Sequence, residues 1–131
     1  MTDQTNDKHA YLVSILIPAR DEAGNIGHLV DELHHALAGQ LAYEVVLVDD
    51  GSSDATGAVF LQHCRQRGTP ARLIRHAHSA GQSTALWTAA RHASGRFIVT
   101  IDGDRQNDPA DIPALVAHGL TMSDTHQHFC I

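Results

Sequence analysis

The sequence predicts an α/β protein built as a three-layer, doubly wound, mostly parallel sheet, and three observations predict it. Apolar runs of strand length alternate with stretches of helical period from Leu12 to Ile101, the connections between them are short, and acidic residues gather directly after the strands.

Leu12 to Ile17 reads as a buried strand interrupted only by Ser14, and Pro18-Ala19-Arg20-Asp21-Glu22 stops it. A helix follows, in which Ile26, Leu29, Val30, Leu33 and Leu37 form one apolar stripe ending near Gly39. The pattern then repeats. Tyr43 to Val48 is a second strand, Asp49 to Asp54 a turn, and Ala55 to Arg67 a helix closed by Gly68. Arg72 to Arg75 makes a short third strand. A third helix runs from Gly81 to Ser94, ends at Gly95 and feeds Phe97 to Ile101, a fourth strand rich in β-branched and aromatic residues. Parallel crossovers are right-handed and bury the helix stripe on the sheet. With a strand order 3-2-1-4, the first and fourth strands are neighbours whose outgoing loops separate at a topological switch point, where such sheets bind ligands.

Residues 1–10 read as a polar leader, 11–120 as one domain and 121–131 as an irregular tail. Thr121 to Ile131 has neither helical nor strand period, and the expectation is a sheet truncated after its fourth strand, by truncation or frameshift. The chain of 131 residues is 43% hydrophobic, enough for one packed domain. Nine Lys and Arg against 15 Asp and Glu give a net charge of -6, which repels a phosphate backbone and excludes nucleic acid as a partner. The apolar runs fall far short of the roughly 20 residues of a membrane span, and Met1 to His9 is too polar for a signal peptide. A cytoplasmic chain, or one working at the cytoplasmic face of a membrane, is expected. Cys64 and Cys130 build no disulfide framework and read as reduced thiols, and the pairs His34-His35, His76/His78 and His126/His128 match no metal-ligand motif.

The strongest local signal is Asp102-Gly103-Asp104-Arg105-Gln106-Asn107-Asp108-Pro109, directly after the fourth strand. Side chains alternate along extended backbone, so Asp102, Asp104 and Gln106 converge as three oxygen donors. Such hard ligands suit Mg2+ or Mn2+, ions that complete their shells with phosphate oxygens. Asp108 or Asp111 serves as cap to the helix that follows. The second signal is Asp49-Asp50-Gly51-Ser52-Ser53-Asp54. A carboxylate here can accept from the N–H groups of a uracil or guanine base, Gly51 permits a tight turn beside it, and Ser53 or Asp54 caps the next helix, leaving Asp50 for the base. Glu22, in the loop after the first strand, faces the same crevice and reads either as a ribose or base contact or as a first-turn helix acid.

Together, Pro18-Ala19-Arg20-Asp21-Glu22, Val48 to Asp54, Gly81-Gln82-Ser83-Thr84-Ala85 and Asp102 to Pro109 resemble the P-x-x-N-E, VDDGSSD, GxxxA and DxDxQxDP segments of family 2 glycosyltransferases, over about Leu12 to Leu120. The resemblance is closest to the dolichol- and undecaprenyl-phosphate sugar transferases. It implies the GT-A fold and transfer of a sugar from a UDP- or GDP-linked donor to polyprenyl phosphate, with inversion at the anomeric carbon. It also implies that Pro18, Ala19, Arg20, Glu22, Val48, Asp50 and Gly51 hold the nucleotide sugar together with Asp102, Gly103 and Asp104. Gly103 would let the sugar approach, Asp102 and Asp104 would be the catalytic pair, and these two with Gln106 would hold the ion. Asp21 stands where such enzymes have Asn, and Arg105 where they have Leu. Three alternatives compete with this reading. One is a nucleotide-sugar-binding fragment without turnover. Another, an aspartyl phosphatase, is disfavoured because the residues after Asp104 leave no room for its remaining groups. The third is a chain whose uncovered sheet edge drives self-association.

Overall fold

A computed structural model describes residues 10–104, 108–120 and 127–130. The elements run β1 (Tyr11–Ala19), α1 (Ala23–Leu37), β2 (Tyr43–Asp50), α2 (Thr56–Arg67), β3 (Ala71–His76), α3 (Gln82–His92), β4 (Gly95–Thr100), a 3-10 turn (Pro109–Asp111), α4 (Ile112–Leu120) and β5 (Gln127–Cys130). All neighbouring strands are parallel, in the order β3-β2-β1-β4-β5. The expected 3-2-1-4 order is therefore present, with one strand added.

β1 and β2 are almost wholly buried because helices cover both faces of the sheet. Alternate residues serve opposite layers. Val13, Ile15, Ile17, Val45 and Leu47 join Ile26, Leu33 and Phe60 from α1 and α2 in the main core, whereas Leu16, Val46 and Val48 pack against Ala85 and Ala89 of α3. In α1 the stripe Ile26, Leu29, Val30, Leu33 and Leu37 is at most 1% exposed. Each such side chain contributes about 1.5–3 kcal/mol on burial, so packing holds a helix whose own N-cap residue, Glu22, makes no side-chain cap bond.

At the amino ends of the strands, the buried Glu44 carboxylate accepts from Ser14 Oγ (2.6 Å), Ser94 N (2.7 Å) and Ser94 Oγ (2.9 Å). Ser14 Oγ in turn accepts from Gly95 N at 2.7 Å. One polar cluster thus ties β1, β2 and β4 in register, at the end of the sheet opposite the outgoing loops.

Two expectations need correction. Gly95 does not close α3: the helix stops at His92, Ala93 turns extended, and Gly95 opens β4 against β1. The cause is steric, since a Cβ on Gly95 would lie 2.5 Å from Ser14 N. The tail is not wholly irregular, and the sheet does not stop at four strands. Gln127–Cys130 pairs with β4, from Phe97 opposite Gln127 to Thr100 opposite Cys130. Four residues are too few to display a period, and pairing to an existing edge supplies what the segment's own pattern lacks. No helix among the described residues is long and apolar enough to cross a membrane.

Candidate functional site

The strand order makes β1 and β4 neighbours while β3, which precedes α3 and β4, lies on the far side of β2. The loops leaving β1 and β4 consequently diverge, opening a cleft of about 370 Å³.

One wall is the β1–α1 loop, fixed by the next crossover. Asp21 has φ 54°, a left-handed conformation that Asp and Asn tolerate better than most residues. Its N–H donates to Ser52 Oγ (2.8 Å), and its Oδ1 accepts from Ser53 N (2.7 Å) and Ser53 Oγ (3.2 Å). Glu22 N donates to Thr56 Oγ1 (2.9 Å) and Ala23 N to Asp54 Oδ2 (3.2 Å), so α1 is capped from outside its own sequence. Asp54 also accepts from the Thr56 N–H and hydroxyl, and the Thr56 hydroxyl, then the Ala23 and Thr56 amides, hold its carboxyl below the ordinary range. The N-cap position of α2 is Ala55, which makes no side-chain cap bond, so neither Ser53 nor Asp54 is the cap residue; Asp54 serves the first helical amide, Thr56 N, from one position earlier.

The second wall starts at Asp50, whose buried carboxylate accepts four hydrogen bonds from the chain itself. His76 Nδ1 (2.8 Å) and Ala80 N (2.9 Å) reach Oδ1; Ser79 Oγ (2.9 Å) and Gly81 N (3.0 Å) reach Oδ2. Burial opposes ionisation, but the bonds from Ala80, His76, Ser79 and Gly81 together outweigh it and lower the carboxyl to about 2. His76 Nε2 also meets Thr88 Oγ1 of α3 at 3.0 Å.

The floor and rim come from the segment after β4. Gly103 is buried, and a Cβ there would lie 3.3 Å from Glu22 Cγ and 3.4 Å from Ala19 Cβ, so the glycine keeps the two loops close. Asp102 Oδ1 accepts from Gln82 Nε2 at 3.2 Å, and Asp104 is exposed at the rim. Asp108 caps the 3-10 turn through Ala110 N at 3.0 Å, the role left open between Asp108 and Asp111.

Of the anticipated site residues, Pro18, Ala19, Arg20 and Glu22 line the cleft from one side, Asp50 from another, and Asp102, Gly103 and Asp104 from below. Val48 does not line it; the strand alternation buries it against α3. Gly51 also stands back from the lining. Its φ is 77°, and a Cβ there would meet Ser79 N at 2.7 Å, so it makes room for the β3–α3 loop. Gln106, expected as third oxygen donor, and Arg105 lie outside the described residues. Ser79, Gly81, Gln82 and Ala85 line the cleft without having been assigned a role, although the Gly81-to-Ala85 spacing marked three of them. Among the described residues no group of three or more His, Cys, Asp and Glu side chains is gathered closely enough to hold a metal ion.

The family model described as "Glycosyl transferase family 2" matches residues 14–120. The chain is 36% identical over 115 residues to dodecaprenyl-phosphate galacturonate synthase of Rhizobium johnstonii, covering 86% of this chain and 34% of that protein. It is 38% identical over 106 residues to undecaprenyl-phosphate 4-deoxy-4-formamido-L-arabinose transferase of Sodalis glossinidius, covering 79% and 32% respectively. Among solved structures, it superimposes with a TM-score of 0.73 and 26% identity on the mannosyltransferase PcManGT of Pyrobaculum calidifontis in complex with GDP-Man and Mn2+. That match covers 87% of this chain and 33% of the other. The chain thus spans about a third of the length of the curated relatives it matches.

Proposed function

The chain belongs to glycosyltransferase family 2, and from that premise we propose that it forms the donor side of a transferase moving a sugar from a nucleoside diphosphate to polyprenyl phosphate. The observation that carries this reading is the convergence of Pro18, Arg20 and Glu22 with Asp102 and Asp104 on one cleft at the β1/β4 switch point. The two relatives are named for different sugars but both for a polyprenyl phosphate, so the acceptor class is the more transferable inference.

In this reading the nucleoside lies along the β1–α1 loop, and the diphosphate turns toward Asp102 and Asp104 over Gly103. A divalent ion, Mg2+ or Mn2+, fits the donor set. Asp102 and Asp104 line the cleft together and would hold such an ion, which completes its shell with phosphate oxygens, and PcManGT was solved in complex with GDP-Man and Mn2+. When bound, such an ion neutralises charge developing on the leaving diphosphate. Asp102, steadied by Gln82, and Asp104 fix where that charge is held. A lipid phosphate is already anionic, so it attacks the anomeric carbon from the face opposite the leaving group with little need of a general base, and the product is inverted. Asp102 and Asp104 are the catalytic pair in this scheme, with Gln106 as a third ligand to the ion. We propose that the reaction takes place at the cytoplasmic face of a membrane, where the lipid acceptor resides, and that the chain self-associates through an outer strand of the sheet, β3 or β5, the β4 edge being covered.

Calorimetric titration with UDP and GDP, with and without Mn2+, tests the site. The expected result is binding that needs the metal and is lost in Asp102→Ala/Asp104→Ala. A folded chain that binds neither nucleotide overturns the proposal. Binding without transfer to a polyprenyl phosphate would make the chain a donor-binding module.

A further inference from the structure

Asp50 ends β2 and lines the cleft, while the contact that aims it comes from behind. The β2/β3 register sets Asp50 opposite His76, and strand alternation turns both toward the layer where Val48 and Ile74 pack under α3. His76 Nδ1 meets Asp50 Oδ1 at 2.8 Å, and the histidine side chain, 18% exposed, stands outside the cleft lining.

The imidazole is held on its other nitrogen too. Nε2 lies 3.0 Å from Thr88 Oγ1, and the Thr88 hydroxyl gives its one proton to Thr84 O, one turn earlier in α3, so its oxygen is left to accept from Nε2. A ring tied at both nitrogens, to a neighbouring strand and to a helix, cannot swing Nδ1 away from Asp50 without losing both contacts. The remaining donors to Asp50 are of another kind. Ala80 N on Oδ1 and Gly81 N on Oδ2 belong to the backbone of the β3–α3 loop, while Ser79 Oγ reaches Oδ2 at 2.9 Å from an exposed residue of the cleft lining. Of the two side-chain donors, the Ser79 hydroxyl is the one that turns about a single bond, and it sits on the oxygen that His76 leaves alone.

We propose that His76, braced by Thr88, is a positioning residue of the nucleoside site: it fixes Oδ1 of Asp50 from behind, so that Oδ2 faces the cleft and accepts the N–H of a uracil or guanine base. The base N–H takes the place of the Ser79 hydroxyl, and His76 itself never touches the nucleotide. The proposal deepens the donor-site reading given above and rests on it, with the carboxylate as the group that reads the base and the histidine as the group that sets its direction.

Calorimetric titration of the full chain in the presence of Mn2+ compares UDP and GDP with the same nucleotides methylated at the base N–H, each variant first shown to be folded by far-UV circular dichroism. His76→Ala is expected to weaken the parent nucleotide by about fivefold or more, the worth of one hydrogen bond, and to leave the methylated one, which cannot use Asp50, unchanged. His76→Asn, whose side-chain amide reproduces the Nδ1 donor, restores most of the loss. Thr88→Val shifts affinity in the same direction by less, and it carries the comparison if His76→Ala does not fold. In an Asp50→Asn background, His76→Ala costs nothing further, because the two residues act as one unit. Equal loss for parent and methylated nucleotides, loss that persists in Asp50→Asn, or no loss in folded His76→Ala overturns the proposal and leaves the donor site standing. Failure of the wild-type chain to bind either parent nucleotide overturns the donor-site reading and this proposal with it, so the wild-type titration tells the two failures apart.

Discussion

Asp21 shows how a departure from a family pattern is absorbed by one residue's backbone. The usual Asn and this Asp share tolerance of positive φ, and the carboxylate accepts both bonds from Ser53. Asp21→Asn is therefore expected to change stability by less than about 0.5 kcal/mol, and Asp21→Ala to lower it by about 1–2 kcal/mol, read from urea unfolding. Asp50 makes a pH prediction. Its carboxyl titrates near 2 when folded against an ordinary 3.8, so its four bonds stabilise the chain above about pH 4 and are lost as pH falls toward 2. Asp50→Asn should flatten the acid limb of a stability-versus-pH curve between those values, and an unchanged limb would contradict the assignment. The acids of the cleft were legible in the sequence because each follows an apolar strand. The partners of Asp50 were not, since His76 and Ser79 come from another strand and loop and meet it only through the β2/β3 register.

At the level of elements, two glycines separate what gives way from what does not. A Cβ on Gly27 of α1 would come within 2.5 Å of the His63 ring of α2, and a Cβ on Gly95 would come equally close to the Ser14 backbone nitrogen. His63 can rotate at the cost of its 3.2 Å contact with Asp31, whereas β1 cannot move without breaking its ladder to β4. Gly27→Ala should cost about 1 kcal/mol and Gly95→Ala about 3 kcal/mol, a ranking that denaturant midpoints will check. Strand and helix positions were readable from period and turn residues, because both faces of the sheet are covered and the apolar runs are nearly unbroken. Element ends were less so. Gly95 carries the signature of a helix stop, but close approach of β4 to β1 uses it instead, and β5 is too short to show a pattern.

For the whole molecule, Trp87 is the single tryptophan and is 65% exposed on α3. Its emission should therefore shift little on unfolding of a monomer, while far-UV circular dichroism reports the full transition. A blue shift with rising protein concentration is expected if copies associate over α3, and an invariant spectrum would exclude that face as the contact. The strand order bears on how such a chain is made. β1 leaves the ribosome before its neighbours in the sheet, pairs with β2 along Val13–Tyr43, and must wait for β4 before Val13 finds Phe97 on its other side. A nascent chain that has not yet delivered Gly95 thus carries an open edge at the centre of its own future sheet. It also lacks the Asp102-Gly103-Asp104 side of the cleft, so the nucleotide proposed as its ligand would have nothing complete to grip during synthesis. Such a ligand would favour the finished protein by mass action alone, without guiding its assembly.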